Sequence, residues 1–227
     1  MKCKGYNFTY VHASISFESA VLDAKLMLEN NEVNTILVGG VDEHADHTIA
    51  LLKLANHIKA DKPASKALLK SKTEGAVYSE GANFFVLSNE KEASSYAEIA
   101  AIQTYNTLGS AKINDIVSTF LKENNLDIED VDIVVLGNNG DITYDYFYNE
   151  LSSGIFNNTQ QVYYKHLSGE FNTASSFGVW LASKILKTQQ LPETVKLNTI
   201  QASNYKTILL YNQYRGKNHS LTLLCKC

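Results

Sequence analysis

The stretch KHLSGEFNTASSFGVWLASKILKTQQLP, residues 165–192, sets two opposite charges, Lys165 and Glu170, around a tight Ser-Gly turn. A turn of this kind, feeding the start of a buried helix, holds a side chain near free backbone N–H groups and the positive end of the helix dipole. Glu170 is therefore expected to form a structural ion pair with Lys165, or else to orient a polar group such as a thioester. Near the N-terminus, Ser14 stands just ahead of a helical pattern, with His12 the nearest histidine in sequence. Ser14 reads as a cap or loop residue. As a nucleophile it would need a base, because a hydroxyl is scarcely ionised near neutral pH, and His12 is the candidate. Asn138 and Asn139, in GNNGD, could donate to a carbonyl as amides do in an oxyanion hole, or could form an ordinary turn, since Gly and Asn tolerate positive φ. Asp42, His44, Asp46 and His47 in DEHADH have the look of metal ligands at a helix start. No further ligand cluster accompanies them and acidic residues favour helix N-termini anyway, so neither metal nor cofactor is expected.

The elements that must position these groups are legible from periodicity. Residues 16–30 predict a helix capped by Ser16, with Glu18 and Ser19 in its first turn and a wide apolar arc of Phe17, Ala20, Val21, Ala24, Met27 and Leu28. An arc that wide is buried on more than one side. NTILVGG is a strand covered on both faces, DHTIALLKLANHIKA a helix, and residues 61–80 a polar loop. GANFFVLSN is a strand, and YAEIAAIQTYNT is expected to continue the same sheet. KINDIVSTFLKENN is amphipathic, with Ile113, Ile116, Val117, Phe120 and Leu121 on one face. DIVVLGNNGD runs from a strand into a polar loop, in which Asp141 and Tyr144 are expected to orient the turn and cap a helix over residues 143–152. QQVYYKHL is a strand, and residues 206–227 form a β-hairpin. Strands alternating with helices imply an α/β protein. No linker and no close internal repeat divides it, so residues 1–227 read as a single domain.

The bulk numbers exclude several classes. The 227 residues suffice for a substantial core, and 44% apolar with 19% charged residues is ordinary for a globular protein. A net charge of −4 argues against nucleic acid. No apolar run reaches the roughly 18 residues of a candidate membrane span, and the first residues do not read as a signal peptide. Cys3, Cys225 and Cys227 form an odd set at the termini, without a Cys-x-x-Cys pair. That composition suits a reducing compartment, and a cytoplasmic location is expected.

In this order, HASISFESAVLDA, LVGGVDE, SEGANFFVLSNEKEA, VDIVVLGNNGD, KHLSGEFNTASSFGVWLASKIL…LP and YNQYRGKNHSLTLL resemble the β-ketoacyl-ACP synthases, members of the thiolase superfamily. The resemblance covers nearly the whole chain. It implies an α/β, thiolase-like layered fold with helices between and over mixed β-sheets. It also implies that most of the family's N-terminal region is missing, because little chain precedes Ser14. Active members use a Cys at the mouth of a buried helix and two histidines that polarise a thioester. By the resemblance, Ser14 stands at the Cys position, the first histidine falls on Gly137 or Asn138, Lys165 is kept, and Glu170 replaces the second histidine. Tyr214 falls where the family has a gating aromatic, but Arg215 and Lys217 replace small residues there, so it reads as packing.

The resemblance thus implies a ketosynthase-like protein of fatty-acid, polyketide or aryl-polyene biosynthesis, acting as a non-catalytic partner subunit of the chain-length-factor kind. The alternative is an acyltransferase or condensing enzyme with a non-standard site built from Ser14, His12, Asn138, Lys165 and Glu170. Either reading implies an acyl carrier protein as partner, and a homodimer or a heterodimer with a ketosynthase.

Overall fold

The computed structural model describes residues 5–61 and 63–227, so Cys3 lies outside the described residues. The chain builds two sheets. Strands β1 (Thr35–Asp42) and β2 (Gly81–Ser88) pair antiparallel, with Thr35 opposite Ser88 and Asp42 opposite Gly81. The second sheet has five strands: β3 (Glu98–Thr107), β4 (Ile133–Leu136), β5 (Gln160–Tyr163), β6 (Thr207–Tyr214) and β7 (Lys217–Cys225). They lie in the order β3-β7-β6-β4-β5. β6 and β7 form the expected antiparallel hairpin, while β4 pairs parallel with both β5 and β6. One expectation is corrected: β3 does not continue the sheet of β2 but pairs antiparallel with β7. The turn between β2 and β3 is where the chain crosses from one layer to another, which local pattern does not encode.

Helices α1 (Ser16–Glu29) and α6 (Ser175–Thr188) lie between the two sheets. Helices α3 (Ile113–Glu123) and α4 (Tyr146–Ser153) cover the other face of the five-stranded sheet. Two short helices, α2 (Asp46–Leu54) and α5 (Lys165–Ser168), complete the set of α-helices among the described residues. The alternation of side chains along a strand divides the core in two. Ile133, Val135, Ile208, Leu210 and Leu224 face Phe17, Val21, Ala24, Val179, Ala182 and Ile185 of the middle layer. Val134, Leu136, Leu209, Tyr211, Leu221 and Leu223 face Ile113, Val117, Phe120 and Leu121 of α3 and Phe147 and Leu151 of α4. The wide apolar arc of α1 is explained by its place: it meets β1 and β2 on one side and β3 on the other.

The structure also shows a repeat that the sequence hides. β5, α6, β6 and β7 follow one another as strand, helix and antiparallel pair. α1, β1 and β2 likewise follow as helix and antiparallel pair; ahead of them the rings of Tyr6 and Phe8 stack, Phe8 and Tyr10 are tilted, and Tyr10 meets His12 edge-on. The two central helices thus each precede an antiparallel pair of strands, β1–β2 and β6–β7.

Candidate functional site

Entry into α1 is locally strained. Ala13 sits at φ +50°, a left-handed conformation that costs a non-glycine residue about 1–2 kcal/mol. The strain turns Ser14 inward, where it is buried and its Oγ has no hydrogen-bond partner. The expected Ser16 cap is corrected: Ile15 holds the N-cap position, while Ser16 Oγ donates to Ala13 O at 2.7 Å and accepts the His12 N–H at 2.8 Å. That bridge fastens the strained turn. His12 is exposed, and its Nδ1 meets Ser19 Oγ at 3.1 Å. No hydrogen bond joins it to Ser14, so the geometry does not bring these two candidates together.

Lys165 and Glu170 are brought together. Lys165 opens α5, Gly169 turns the chain at φ +71° and ψ −172°, and Glu170 follows. That backbone region is essentially reserved for glycine. The main chain of Glu170 is clamped by its N–H to Val77 O at 2.8 Å and by the Ser79 N–H to its carbonyl at 3.1 Å. Lys165 Nζ lies 3.0 Å from Glu170 Oε1 and 2.8 Å from Oε2, with both side chains no more than 2% exposed. A third member had not been singled out as the partner: Asn139 Nδ2 donates to Glu170 Oε2 at 2.5 Å.

The loop after β4 explains why the contact falls to Asn139. The backbone N–H groups of Asn139 and Gly140 donate to the Asp145 carboxylate at 3.2 and 2.9 Å, and Asn139 Oδ1 accepts the Asp141 N–H at 3.0 Å. Gly140, at φ +79°, makes the turn. Asn139 is thereby aimed at Glu170, while Asn138 is buried beside it with its Oδ1 unpaired. Asp141 does orient the loop, taking the Thr143 N–H and the Arg215 guanidinium at 3.0 and 3.3 Å, but it caps no helix. Burial pushes the Asp145 carboxyl up to about 6 against these donors.

Two further groups carry no strong sequence signal. Glu18, one turn into α1, is 1% exposed. Its Oε1 accepts the Ser220 hydroxyl at 2.9 Å and its Oε2 has no partner. Burial raises its pKa; the Ser175 and Ser220 hydroxyls and the Lys165 charge oppose the rise. A glutamate in a first turn ordinarily faces solvent, and only the second sheet overhead puts this one inside. The other group is a chain of polar tips. Tyr214 Oη lies 2.6 Å from Tyr78 Oη and 2.9 Å from His57 Nδ1, so Tyr214 is tied by hydrogen bonds as well as packed. Desolvation and the neighbouring Arg215 lower the His57 pKa. His166, in contrast, stacks on Tyr163 with ring centroids 3.9 Å apart and bonds to no member of the site. Among the described residues, no group of three or more His, Cys, Asp or Glu side chains is placed to hold a metal ion. No helix there is long and apolar enough to cross a membrane.

Two helices layered between a two-stranded and a five-stranded sheet make up the fold that carries these groups. Solved ketosynthase structures share this fold. The ketosynthase from module 6 of the bacillaene synthase of Bacillus subtilis 168 superposes with a TM-score of 0.81 at 17% identity, over 99% of this chain and 47% of that one. The ishigamide ketosynthase/chain length factor gives 0.75 at 16%, over 95% of this chain and 59% of that one. A ketosynthase in complex with its chain length factor from Xenorhabdus doucetiae gives 0.72 at 16%, over 97% and 60%. This chain therefore has the ketosynthase-like thiolase fold, and it spans about half to three fifths of the length of these structures. By sequence, no family model and no curated protein matches it.

Proposed function

We propose that this chain is a ketosynthase-like subunit of acyl-chain assembly that lacks Cys-His-His condensation chemistry and works as the partner of an active ketosynthase. The observation that carries the reading is the Lys165–Glu170–Asn139 cluster. Where the resemblance puts a histidine, the chain has a carboxylate whose two oxygens are occupied by Lys165 and Asn139. A carboxylate so bound accepts hydrogen bonds and donates none, so it cannot polarise a thioester carbonyl as a histidine N–H does. The partner role is supported by the outward face of the β1–β2 pair. Leu37, Val41, Phe84 and Val86 stand 45–70% exposed there, an apolar patch of the kind that marks interaction surfaces. Acyl chains carried on an acyl carrier protein fit the same reading, because a structural neighbour was solved as a type II acyl-carrier protein in complex with its ketosynthase.

Co-expression with an intact Cys-His-His ketosynthase tests it. The expected result is a stable complex in which the ketosynthase elongates carrier-bound chains and this chain acquires no condensation activity of its own. Condensation by this chain alone, or failure to form any complex, would overturn it. A second reading, acyl transfer to Ser14 without condensation, is favoured by one observation: the strained Ala13 turn holds an unpaired Ser14 hydroxyl in the interior.

A further inference from the structure

We propose that the outer edge of β3 is a docking site for a partner polypeptide, which joins the five-stranded sheet as a sixth strand with alternating apolar and basic side chains. The site is independent of any chemistry at Ser14 or Glu170. β3 is an end strand of its sheet and the longest strand among the described residues. One edge is laddered to β7, and among the described residues its backbone makes no further backbone-to-backbone hydrogen bond. None of its 10 residues is buried, whereas its neighbour β7 is buried along most of its length. The opposite end of the sheet is built differently. β5 has only 4 residues, and there the Gln161 N–H donates to Asn198 Oδ1 at 3.0 Å while the Gln161 carbonyl accepts the Leu197 N–H at 2.9 Å. A following segment thus seals that edge. Exposed edges are ordinarily blunted by proline, lysine or short length. β3 has none of these: its one charged residue is Glu98 at its start, and its one irregularity lies between Ile99 and Ala101.

The surroundings of the edge define the partner. A groove of about 250 Å³ runs between β3 and α3, lined by Gln103 and Tyr105 from the strand and by Lys112, Asp115, Ile116 and Glu123 from α3 and the turn ahead of it. Half-buried Tyr105 and Ile116 give it an apolar floor, and its charged rim sets two carboxylates against one ammonium. Glu123 stands beside Tyr105, since its charge, after desolvation, raises the Tyr105 pKa. The side chains of an added strand alternate between the two faces of the sheet. On the α3 face, a lysine or arginine lays its stem on Tyr105 and Ile116 and brings its charged head to Asp115 and Glu123. On the other face, Ile99 and Ile102 lie half-buried against the core shared with α1, and an apolar side chain beside them extends that core. Backbone hydrogen bonds supply the affinity of such a strand addition, and the alternate side chains supply its selectivity.

The test titrates the protein into a fluorescein-labelled peptide of alternating valine and lysine, with a peptide of alternating valine and glutamate as control. Binding is read by anisotropy, and amide hydrogen exchange is followed with and without the lysine peptide. The expected result is saturable binding of the lysine peptide, binding of the glutamate peptide weaker by about tenfold, and slowed exchange within residues 98–107. Asp115 and Glu123 are exposed, so their reversal leaves the core intact. Asp115→Lys/Glu123→Lys should keep the wild-type melting temperature, weaken the lysine peptide by about tenfold and strengthen the glutamate peptide. No binding, equal binding of the two peptides, or slowed exchange confined to β1 and β2 would overturn the proposal. Slowed exchange in β3 that grows with protein concentration in the absence of peptide would assign the edge to a second copy of this chain and overturn it as well.

Discussion

At the scale of single residues, the site is held by burial as much as by bonding. Removing one partner of a buried ion pair leaves the other charged and unsolvated, at a cost of about 3–5 kcal/mol. Glu170→Ala should therefore be strongly destabilised in urea unfolding, since it strands Lys165 Nζ and the Asn139 amide together. A Lys165→Met/Glu170→Leu pair should lose far less, because an apolar replacement of both partners removes the desolvation penalty with the bond. Asp145 gives a pH signature. Its folded pKa of about 6 lies above its ordinary value of 3.8, so the folded state binds its proton more tightly than the unfolded chain does. The stability this contributes is complete below pH 3.8 and is lost as pH rises through about 6. Measured against Asp145→Asn, wild type should lose on the order of 2 kcal/mol between pH 4 and 7.

At the scale of elements, the two central helices must approach their sheets closely enough to bring their N-termini together. Gly178 is what lets α6 do so: a Cβ there would stand 2.6 Å from Leu210 Cδ1 and 3.0 Å from the Tyr164 ring. Gly178→Val should cost about 1–3 kcal/mol by overpacking. It should also shift Ser175 and Ser176 at the head of the helix, which an altered near-ultraviolet spectrum would report. The element boundaries were largely legible in the sequence. α1, α6 and the β6–β7 hairpin follow hydrophobic period, and the strand before GNNGD reads correctly because Ile133 to Leu136 are all apolar. The membership of β3 was not legible, because a strand's alternation is the same whichever sheet it joins.

At the scale of the whole molecule, the two antiparallel strand pairs differ in what covers them. β6 and β7 have α3 and α4 over their outer face, whereas the equivalent face of β1 and β2 lies open with Leu37 opposite Val86 and Gly39 opposite Phe84. An apolar face of this kind drives association in water. The isolated chain should show concentration-dependent sedimentation, and a Leu37→Glu/Val86→Lys variant should sediment as a smaller species at the same concentration. Since the altered positions face outward from the β1–β2 pair, its far-ultraviolet spectrum should not change.

By itself the sequence determined the α/β class, the layered fold expected from the resemblance, and the meeting of Lys165 with Glu170, which lie a few residues apart across one turn. Local spacing suffices for that, because helix ends and glycine turns fix nearby side chains. Tertiary structure alone decided that Asn139 completes the pair and that Glu18 is interior. Each depends on distant chain arriving overhead: Glu170 beneath the loop after β4, and Ser220 of β7 against a helix whose first turn would otherwise face water.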